Sequence, residues 1–263
     1  MLATLVLLPI AVVRLVAATG SDRPEASATS GGPASVSTPI AGVVRTTPAT
    51  TPGGTVAGLP ACAVGDVLAP DADFDDWSET LLDPTFRLPS TYVPPDLDTI
   101  GEAGFEHRFL LLRSFVMPEL AELREAAADA HHPIDVLAAY RSYSMQEDLF
   151  ERRRETLGPA AAADRTARAG HSEHQLGTTV DLEPLGDTDV TLRFGSTPTG
   201  RWLIANAYRF GFVQSYPDCK SKVTCYGYEP WHFRYVGRTE AAAVHGSGLT
   251  LREFLWRQKH RTG

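Results

Sequence analysis

The sequence predicts a single α+β domain in which helices surround a small antiparallel β-sheet. Three observations lead to this prediction. The chain has 263 residues, of which 43% are hydrophobic and 21% are charged, as in an ordinary soluble globular protein. Its foldable part is about 200 residues long, the size of one domain. Within that part, short apolar segments typical of strands alternate with helical patterns, and two of these segments flank a loop near the C-terminus, which predicts a late hairpin.

The N-terminus carries a predicted export signal. Residues 1–18 contain the one long apolar run, which ends in Val16-Ala17-Ala18, small residues that suit signal peptidase. Arg14 within the run disfavours a permanent membrane anchor. We therefore predict a cleaved signal peptide and a secreted or extracytoplasmic, cell-wall-associated protein. A membrane anchor is the alternative, and it would be the protein's one contact with a membrane.

The next segment, residues 19–60, is rich in Gly, Ser, Thr, Pro and Ala. Such a segment buries too little apolar surface to offset the entropy of ordering, so it is predicted to be a disordered linker. The folded domain is predicted at 61–263. Its first part, 61–100, is rich in Asp, Pro and aromatic residues and predicts an irregular arm laid over the core.

Regular structure is predicted to begin beyond this arm. Apolar residues recur at helical spacing behind a proline at 118–130, and the apolar run at 134–139 is typical of a short buried strand. Ser144 is a suitable N-cap for a helix that ends at Leu157, before a Gly-Pro pair. A second helix is predicted at 160–167.

The second half of the domain supplies most of the predicted sheet. Short apolar segments bounded by loops predict strands at 179–183, 212–216 and 231–236. Longer segments with helical periodicity predict helices at 199–210, 239–244 and 250–258.

Charge and cysteine content exclude several classes of function. The formal charge is −8 at pH 7, which argues against nucleic-acid binding, because that binding depends on many Lys and Arg residues. Three cysteines are too few for a disulfide-rich scaffold or a four-thiolate zinc site. A metal would therefore have to be held by His and carboxylate side chains.

Three short polar clusters carry the candidate chemistry. His174 precedes a predicted strand that contains Asp181, and Glu229 lies three residues before His232 at the start of the last strand. Arg141 lies where a predicted strand meets the next helix. Because Asp181 stands between two apolar residues, its carboxylate is costly to bury unless it is paired or binds a metal.

These residue types suit a hydrolytic zinc site. Two histidines and one aspartate are enough to hold a catalytic zinc with a position left for water. Zinc lowers the pKa of a bound water to about 7, and a carboxylate such as Glu229 can take its proton. Arg141 can bind a substrate carboxylate or stabilise the oxyanion that develops during attack.

Each residue also has an ordinary interpretation. Taken alone, His174 would be a hydrogen-bonded or surface histidine, and Glu229 an exposed acid. Arg141 could pair with Glu147 or Asp148 on the next helix. The combination of all three clusters favours the metal site over these separate interpretations.

The spacing of Glu229 and His232 raises a geometric requirement. Residues three apart in a regular strand face opposite sides of the sheet. Both side chains must nevertheless reach one site, so the sequence predicts a bend or bulge at 229–231.

The combined motifs resemble the VanY-type D-alanyl-D-alanine carboxypeptidases, which are grouped with VanX dipeptidases and the hedgehog amino-terminal domain. The pattern S-x-H-x-x-G-x-x-x-D begins at Ser172, E-P-W-H spans 229–232, and Y-R-S-x-x-x-Q begins at Tyr140. The likeness extends from about residue 62 to the C-terminus. It departs from the family at Thr179, where Ala is usual, a small difference that leaves the resemblance intact.

The resemblance implies a role for each motif residue. The implied ligands of one Zn²⁺ ion are His174, Asp181 and His232. The implied general base is Glu229, and the implied transition-state residue is Arg141. The implied substrate-binding residues are Arg141, Ser142, Gln146 and Ser172. His171 has no implied role and is expected to support the site or lie at the surface.

The implied function is that of a monomeric, zinc-dependent D,D-carboxypeptidase. It would remove the terminal D-Ala from peptidoglycan stem peptides by attack of metal-bound hydroxide. Alternatives within the same group are a D,D-dipeptidase, an L,D-carboxypeptidase and an endopeptidase. A non-catalytic, zinc-containing module that binds cell wall or protein is the alternative from another class. The presence of both Glu229 and Arg141 argues against that module, because binding alone requires no general base.

The three cysteines allow one disulfide and leave one thiol. Local spacing favours a bond between Cys219 and Cys225, which would close the predicted hairpin loop. The family resemblance instead implies Cys62–Cys225, which would tie the arm to the segment before E-P-W-H. Both pairings are compatible with an exported protein.

Overall fold

The computed structural model describes residues 56, 58–106, 109–186 and 191–260. These residues belong to one compact unit, Gly53–Gly263. The signal or anchor predicted at 1–18 and nearly all of the predicted linker lie outside the described residues. Among the helices of the described part, none is both long enough and apolar enough to cross a membrane.

Short strands organise the first part of the domain. β1 (Val67–Leu68) pairs in parallel with β2 (Phe86–Arg87), and β3 (Leu97–Thr99) pairs antiparallel with β4 (Leu111–Arg113). A buried ion pair ties this part to the C-terminal region, because Arg252 Nε lies 2.8 Å from Asp83 Oδ2. The same guanidinium donates to the carbonyls of Val223 and Pro60.

A four-stranded antiparallel sheet lies at the centre of the domain. Its strands are β5 (Ile134–Ala138), β6 (Thr179–Pro184), β7 (Phe212–Gln214) and β8 (His232–Tyr235), in the spatial order β5-β6-β8-β7. The adjacent, antiparallel β7 and β8 are the predicted late hairpin strands. The predicted α+β class with a small antiparallel sheet is confirmed.

Helices surround this sheet. The α-helices of the described residues are α1 (Met117–Asp129), α2 (Tyr143–Leu157), α3 (Pro159–Arg165), α4 (Pro198–Asn206), α5 (Ser221–Thr224), α6 (Arg238–Ser247) and α7 (Leu251–Lys259). The four-residue α5 is absent from the sequence-based assignment, since it is too short to display a helical period. α4 continues as a 3-10 turn, Ala207–Phe210, where a single α-helix was predicted.

Several predicted element ends are wrong, and three of these have a clear structural reason. The N-cap of α2 is Ser142 rather than Ser144: its backbone is extended and its hydroxyl accepts a hydrogen bond from the Met145 N–H at 3.2 Å. β7 ends at Gln214, because the chain then turns and Ser215 bonds to a buried carboxylate. Trp231 lies in a turn, so β8 begins one residue later than predicted.

Alternation along β6 and β8 separates an apolar face from a polar one. Val180, Leu182 and Phe233 belong to the main hydrophobic core. Because successive strand residues point to opposite faces, Asp181 and His232 face away from that core. α1 packs on the apolar side through residues such as Leu120 and Leu123, which leaves the opposite face for polar chemistry.

The structure pairs Cys62 with Cys225, with their Cα atoms 5.2 Å apart, and leaves Cys219 as an exposed thiol. The pairing implied by the family resemblance is therefore confirmed, and the local Cys219–Cys225 alternative is wrong. The bond links positions 163 residues apart in the chain.

We expect the disulfide to contribute substantially to stability, because it removes conformational freedom from a very long loop of the unfolded chain. Replacing both Cys62 and Cys225 by Ser should lower the free energy of unfolding by about 2–5 kcal/mol, measured by urea denaturation. Cys219→Ser is the matched control and should change it by less than about 0.5 kcal/mol. Equal stability of the double variant and the control would contradict the role assigned to the bond.

Candidate metal centre

Three side chains from two strands and one turn converge on the polar face of the sheet. The register of β6 with β8 places Asp181 directly opposite His232. Asp181 Oδ1 lies 3.1 Å from His232 Nδ1, and Asp181 Oδ2 lies 3.3 Å from His174 Nε2. All three residues are buried, and each offers one ligand atom within 4.8 Å of the other two.

In each of the two imidazoles, the nitrogen that points away from the centre makes a hydrogen bond to the protein, and this outer hydrogen bond determines which nitrogen faces the centre. His174 Nδ1 donates to the carbonyl of Ala139 at 2.7 Å. His232 Nε2 donates to Glu173 Oε2 at 3.0 Å. In neutral rings, the other two nitrogens then carry lone pairs directed at the oxygens of Asp181.

Lone pairs that face one another at this distance repel unless a proton or a metal cation lies between them. The set of two imidazole nitrogens and one carboxylate oxygen is one that Zn²⁺ commonly takes in catalytic sites. The hydrogen-bonded outer nitrogens are also typical of metal-binding histidines. The residues present therefore fit a zinc ion.

A short 3-10 turn, Glu173–Leu176, presents His174 to this centre. Ser172 caps the turn, and its hydroxyl accepts a hydrogen bond from the His174 N–H at 3.4 Å. Gly177 ends it with φ of +73°, and a Cβ there would lie 3.0 Å from Arg113 Cγ. Glycine is thus required for the chain to leave the turn and enter β6.

Behind His232 lies a buried carboxylate, Glu173, that the sequence-based assignment did not include. Its Oε1 accepts from Arg234 Nη1 at 2.9 Å, and its Oε2 accepts from the Ser215 hydroxyl at 2.6 Å as well as from His232. Burial alone would raise the pKa of Glu173, but Arg234 and these hydrogen bonds lower it to about 2. The group is therefore a permanent anion beside His232.

The centre as a whole attracts positive charge. Burial disfavours protonation of His232, yet its hydrogen bonds to Asp181 and Glu173 raise its pKa above the usual range. Burial raises the pKa of Asp181, but His174 and His232 lower it further than burial raises it. Ionised carboxylates thus surround the imidazoles and stabilise a cation at this position.

Glu229 reaches the same centre from a turn. The His232 N–H donates to the Glu229 carbonyl at 3.3 Å, and the Glu229 N–H donates to the Tyr216 carbonyl at 3.1 Å. The predicted bend at 229–231 is therefore present, as a turn before β8. It places Glu229 Oε2 at 3.5 Å from His232 Nδ1. Burial raises the pKa of Glu229 to about 7, a range in which a carboxylate both accepts and returns a proton.

Arg141 supplies a fixed cation beside these groups. Its Nη1 donates to Gln146 Oε1 at 2.8 Å, rather than to Glu147 or Asp148. Gln146 Nε2 in turn donates to the Ala167 carbonyl at 2.6 Å. Burial lowers the pKa of the Arg141 guanidinium, while Asp181 and Glu229 raise it. The guanidinium is thereby held in one orientation by the buried amide of Gln146.

The site opens into a cavity of about 340 Å³. Among the predicted site residues, those that line it are Arg141, Gln146, Ser172, His174, Asp181, Glu229 and His232. Ser142 is not among the lining residues, since its hydroxyl caps α2 instead. Of the four predicted substrate-binding side chains, Gln146 has both amide groups occupied by protein partners, and Ser172 bonds to the backbone of His174.

Comparison with known proteins gives this arrangement a family. The family model described as VanY, D-alanyl-D-alanine carboxypeptidase, matches residues 110–238. YodJ of Bacillus subtilis (strain 168), a protein named provisionally as a carboxypeptidase, is 33% identical over 184 residues, which are 68% of this chain and 67% of YodJ. The chain belongs to the VanY family. The resemblance inferred from the motifs is confirmed.

Curated and solved relatives extend this comparison. A D-alanyl-D-alanine carboxypeptidase of Enterococcus faecalis (strain ATCC 700802 / V583) is 35% identical over 154 residues, which are 55% of each chain. This VanY-family chain thus spans about half of that relative. The LdcB LD-carboxypeptidase has a TM-score of 0.60 and 32% identity, covering 68% of this chain and 87% of LdcB.

A zinc-containing relative has also been solved. The VanY D,D-pentapeptidase from a VanB-type resistance cassette, in complex with Zn(II), has a TM-score of 0.57 and 31% identity. The alignment covers 68% of this chain and 99% of that one. The metal in this neighbour is the ion that the donor set described above fits.

Residues beyond the family motifs complete the site. Arg234 follows His232 by two positions, so both lie on the polar face of β8. The sequence feature that could have identified Arg234 is a charged residue inside an otherwise apolar strand. Thr179, the departure from the family pattern, is fully buried and donates its hydroxyl to the Glu173 carbonyl at 3.1 Å. His171 is buried, with Nδ1 at 2.8 Å from the Asp83 carbonyl, so it contacts the arm rather than the metal centre.

We expect Arg234 to be essential for stability, because its removal leaves the Glu173 carboxylate buried without its cation. Arg234→Met should lower the free energy of unfolding by about 3–5 kcal/mol, measured by urea denaturation of the metal-free protein in chelator. Arg152→Met, on the exposed surface of α2, is the control and should have little effect. Identical unfolding midpoints for the two variants would refute this account of the buried pair.

Proposed function

We propose that this VanY-family protein is a zinc-dependent D,D-carboxypeptidase that removes the terminal D-Ala from peptidoglycan stem peptides. The observation that carries the proposal is that His174, Asp181 and His232 converge within one cavity that also contains Glu229 and Arg141. A site that only bound metal would need neither of the last two residues.

The three ligands would hold a single zinc ion through His174 Nε2, His232 Nδ1 and the Asp181 carboxylate. When bound, zinc supplies Lewis acidity that polarises a peptide carbonyl and makes a water more acidic. Glu173 positions His232 by accepting its outer N–H, and the Ala139 carbonyl does the same for His174. These contacts orient the imidazoles before metal arrives.

Glu229 is the proposed general base. Its carboxylate lies beside the ligand face of His232 without being required to complete the ligand set. In that position it can take a proton from the attacking water and return it to the departing amine of D-Ala. Burial favours these transfers because bulk water is largely kept from competing for the proton.

Arg141 is the proposed anion-binding residue. Its guanidinium is fixed by Gln146 and faces the cavity near Asp181 and Glu229. It can hold the terminal carboxylate of the peptide or stabilise the negative charge that develops on the attacked carbonyl oxygen. Gln146 then acts through Arg141, as a positioning residue.

Relatives with the same fold differ in the bond that they cleave, because they include both a D,D-pentapeptidase and an LD-carboxypeptidase. Release of D-Ala from a pentapeptide stem supports the D,D assignment. Release of a D-Ala-D-Ala dipeptide supports a dipeptidase. Cleavage of the tetrapeptide alone supports an L,D-carboxypeptidase, and cleavage of cross-linked stems supports an endopeptidase.

We also propose that the protein is secreted and acts as a monomer at the cell wall. The apolar run and small-residue end of residues 1–18 support export. The Cys62–Cys225 disulfide supports an oxidising compartment.

We expect activity to require zinc. Dialysis against a chelator should abolish D-Ala release from a pentapeptide stem, and addition of Zn²⁺ should restore it, because zinc would supply the Lewis acidity that polarises the peptide carbonyl and makes the water more acidic. His232→Ala should lose bound zinc, as measured by mass spectrometry of the metal content. Undiminished turnover by the zinc-free protein would rule out the proposed chemistry.

Substitution of the general base should separate metal binding from turnover. Glu229→Ala should retain zinc but lower kcat by about 10²- to 10⁴-fold, the usual contribution of general base catalysis. Glu147→Ala, at an exposed position on α2, is the control and should retain normal kcat. If Glu229→Ala kept full kcat, another group would have to be the base; zinc binding with no cleavage by the unaltered protein would favour a binding module.

A further inference from the structure

Two exposed arginines line the cavity in addition to the residues of the metal centre. Arg153 lies on α2 and Arg165 ends α3, and both are among the cavity-lining residues. Within the described part of the chain, neither guanidinium has an ion-pair or hydrogen-bond partner. Nearby arginines are engaged: Arg154 pairs with Glu151 at 2.8 Å, and Arg168 donates to the Pro84 carbonyl at 3.0 Å.

Helical spacing fixes where Arg153 lies relative to the proposed catalytic groups. Gln146, Leu149 and Arg153 follow one another at intervals of three and four residues, so one face of α2 lines the cavity. With a rise of about 1.5 Å per residue, Arg153 starts about 10 Å along the helix from Gln146. Gln146 is the residue that holds Arg141.

A distance of about 10 Å corresponds to roughly three residues of extended peptide. A peptide whose end is held near Arg141 would therefore place its preceding two or three residues beside Arg153. Arg165 lines the same cavity from α3, which packs against α2. The two free guanidiniums thus lie where the body of a bound stem peptide, rather than its scissile bond, would pass.

The outer part of the cavity, which is the part lined by Arg153 and Arg165, has a charge opposite to that of the whole chain. The protein has a formal charge of −8, yet the outer cavity carries two cations without partners. Guanidinium groups bind carboxylates through two parallel hydrogen bonds and repel ammonium groups. The chemistry of this subsite therefore favours a ligand with a carboxylate at that position.

We propose that Arg153 and Arg165 bind a carboxylate located upstream of the scissile bond of the stem peptide. This inference rests on the proposed peptidase function. The enzyme then favours stems whose third residue is a diamino acid that keeps a side-chain carboxylate, such as diaminopimelate, over stems with lysine at that position. Arg153 and Arg165 are specificity residues and take no part in the bond cleavage.

Two pentapeptides that differ by one carboxylate test the proposal. L-Ala-γ-D-Glu-X-D-Ala-D-Ala is prepared with X as meso-diaminopimelate or as L-lysine, and kcat/KM is measured for each. We expect the unaltered protein to prefer the diaminopimelate peptide by about two- to fivefold, the range for exposed charge pairs. The preference should shrink at high salt, because exposed charges are screened.

The double variant Arg153→Gln/Arg165→Gln should lower kcat/KM for the diaminopimelate peptide until the preference is lost. Arg152→Gln is the matched control, since Arg152 is exposed on the same helix but is not among the cavity-lining residues; it should retain the preference. Equal kcat/KM for both peptides with the unaltered protein, or a preference that survives the double substitution, would overturn the proposal while leaving the peptidase function intact.

A binding measurement separates failure of this proposal from failure of the proposed function. Titration calorimetry of both peptides with zinc-loaded Glu229→Ala protein needs no turnover. If the unaltered protein cleaves neither pentapeptide, the D,D-carboxypeptidase assignment fails. Tighter binding of the diaminopimelate peptide that disappears when Arg153 and Arg165 are also replaced would still support the subsite, and equal binding of the two peptides would reject it.

Discussion

In the pairing of β6 with β8, Asp181 lies directly opposite His232, and a shift of this register by one residue would turn one strand's polar side chains into the apolar core. The register is held because Val180, Leu182 and Phe233 are buried on the other face. Core packing on one side of the sheet therefore fixes the ligand geometry on the other. The remaining parts of the site are added to this pair: His174 by a 3-10 turn and Glu229 by the turn before β8.

The cost of burying so many charged groups is offset locally. Glu173 accepts hydrogen bonds from His232, Arg234 and Ser215, so its oxygens have partners throughout. Arg234 also donates to the carbonyls of Trp77 and Thr80. The first part of the domain is thus hydrogen-bonded to Arg234, the residue that holds Glu173. The packing of this first part and the orientation of His232 therefore depend on one another. Such networks are stable when their members are satisfied, and among the described atoms of this one Arg234 Nε is buried without a hydrogen-bond partner.

The same fold serves peptidases of different specificity, as the D,D- and LD-cleaving structural neighbours show. Specificity must therefore reside in the walls of the cavity rather than in the ligands. In this chain α2 and α3 supply part of those walls, together with residues such as Tyr216, Tyr226 and Trp231. The inner end of α2 holds Arg141 through Gln146, while its outer turn and the end of α3 present arginines that the fold itself does not use.

The sequence by itself determined the α+β class, most of the helices and strands, and the three clusters from which the site is built. These features were accessible because apolar periodicity and motif spacing are local properties of the chain. The need for a turn at Glu229 also followed from strand geometry alone. Only the tertiary structure decided that Cys62 pairs with Cys225, that Glu173 and Arg234 lie behind His232, and that the Gln146 amide is occupied by protein partners. Those contacts join residues far apart in sequence, and they depend on strand register and on which side chains the core leaves facing the cavity.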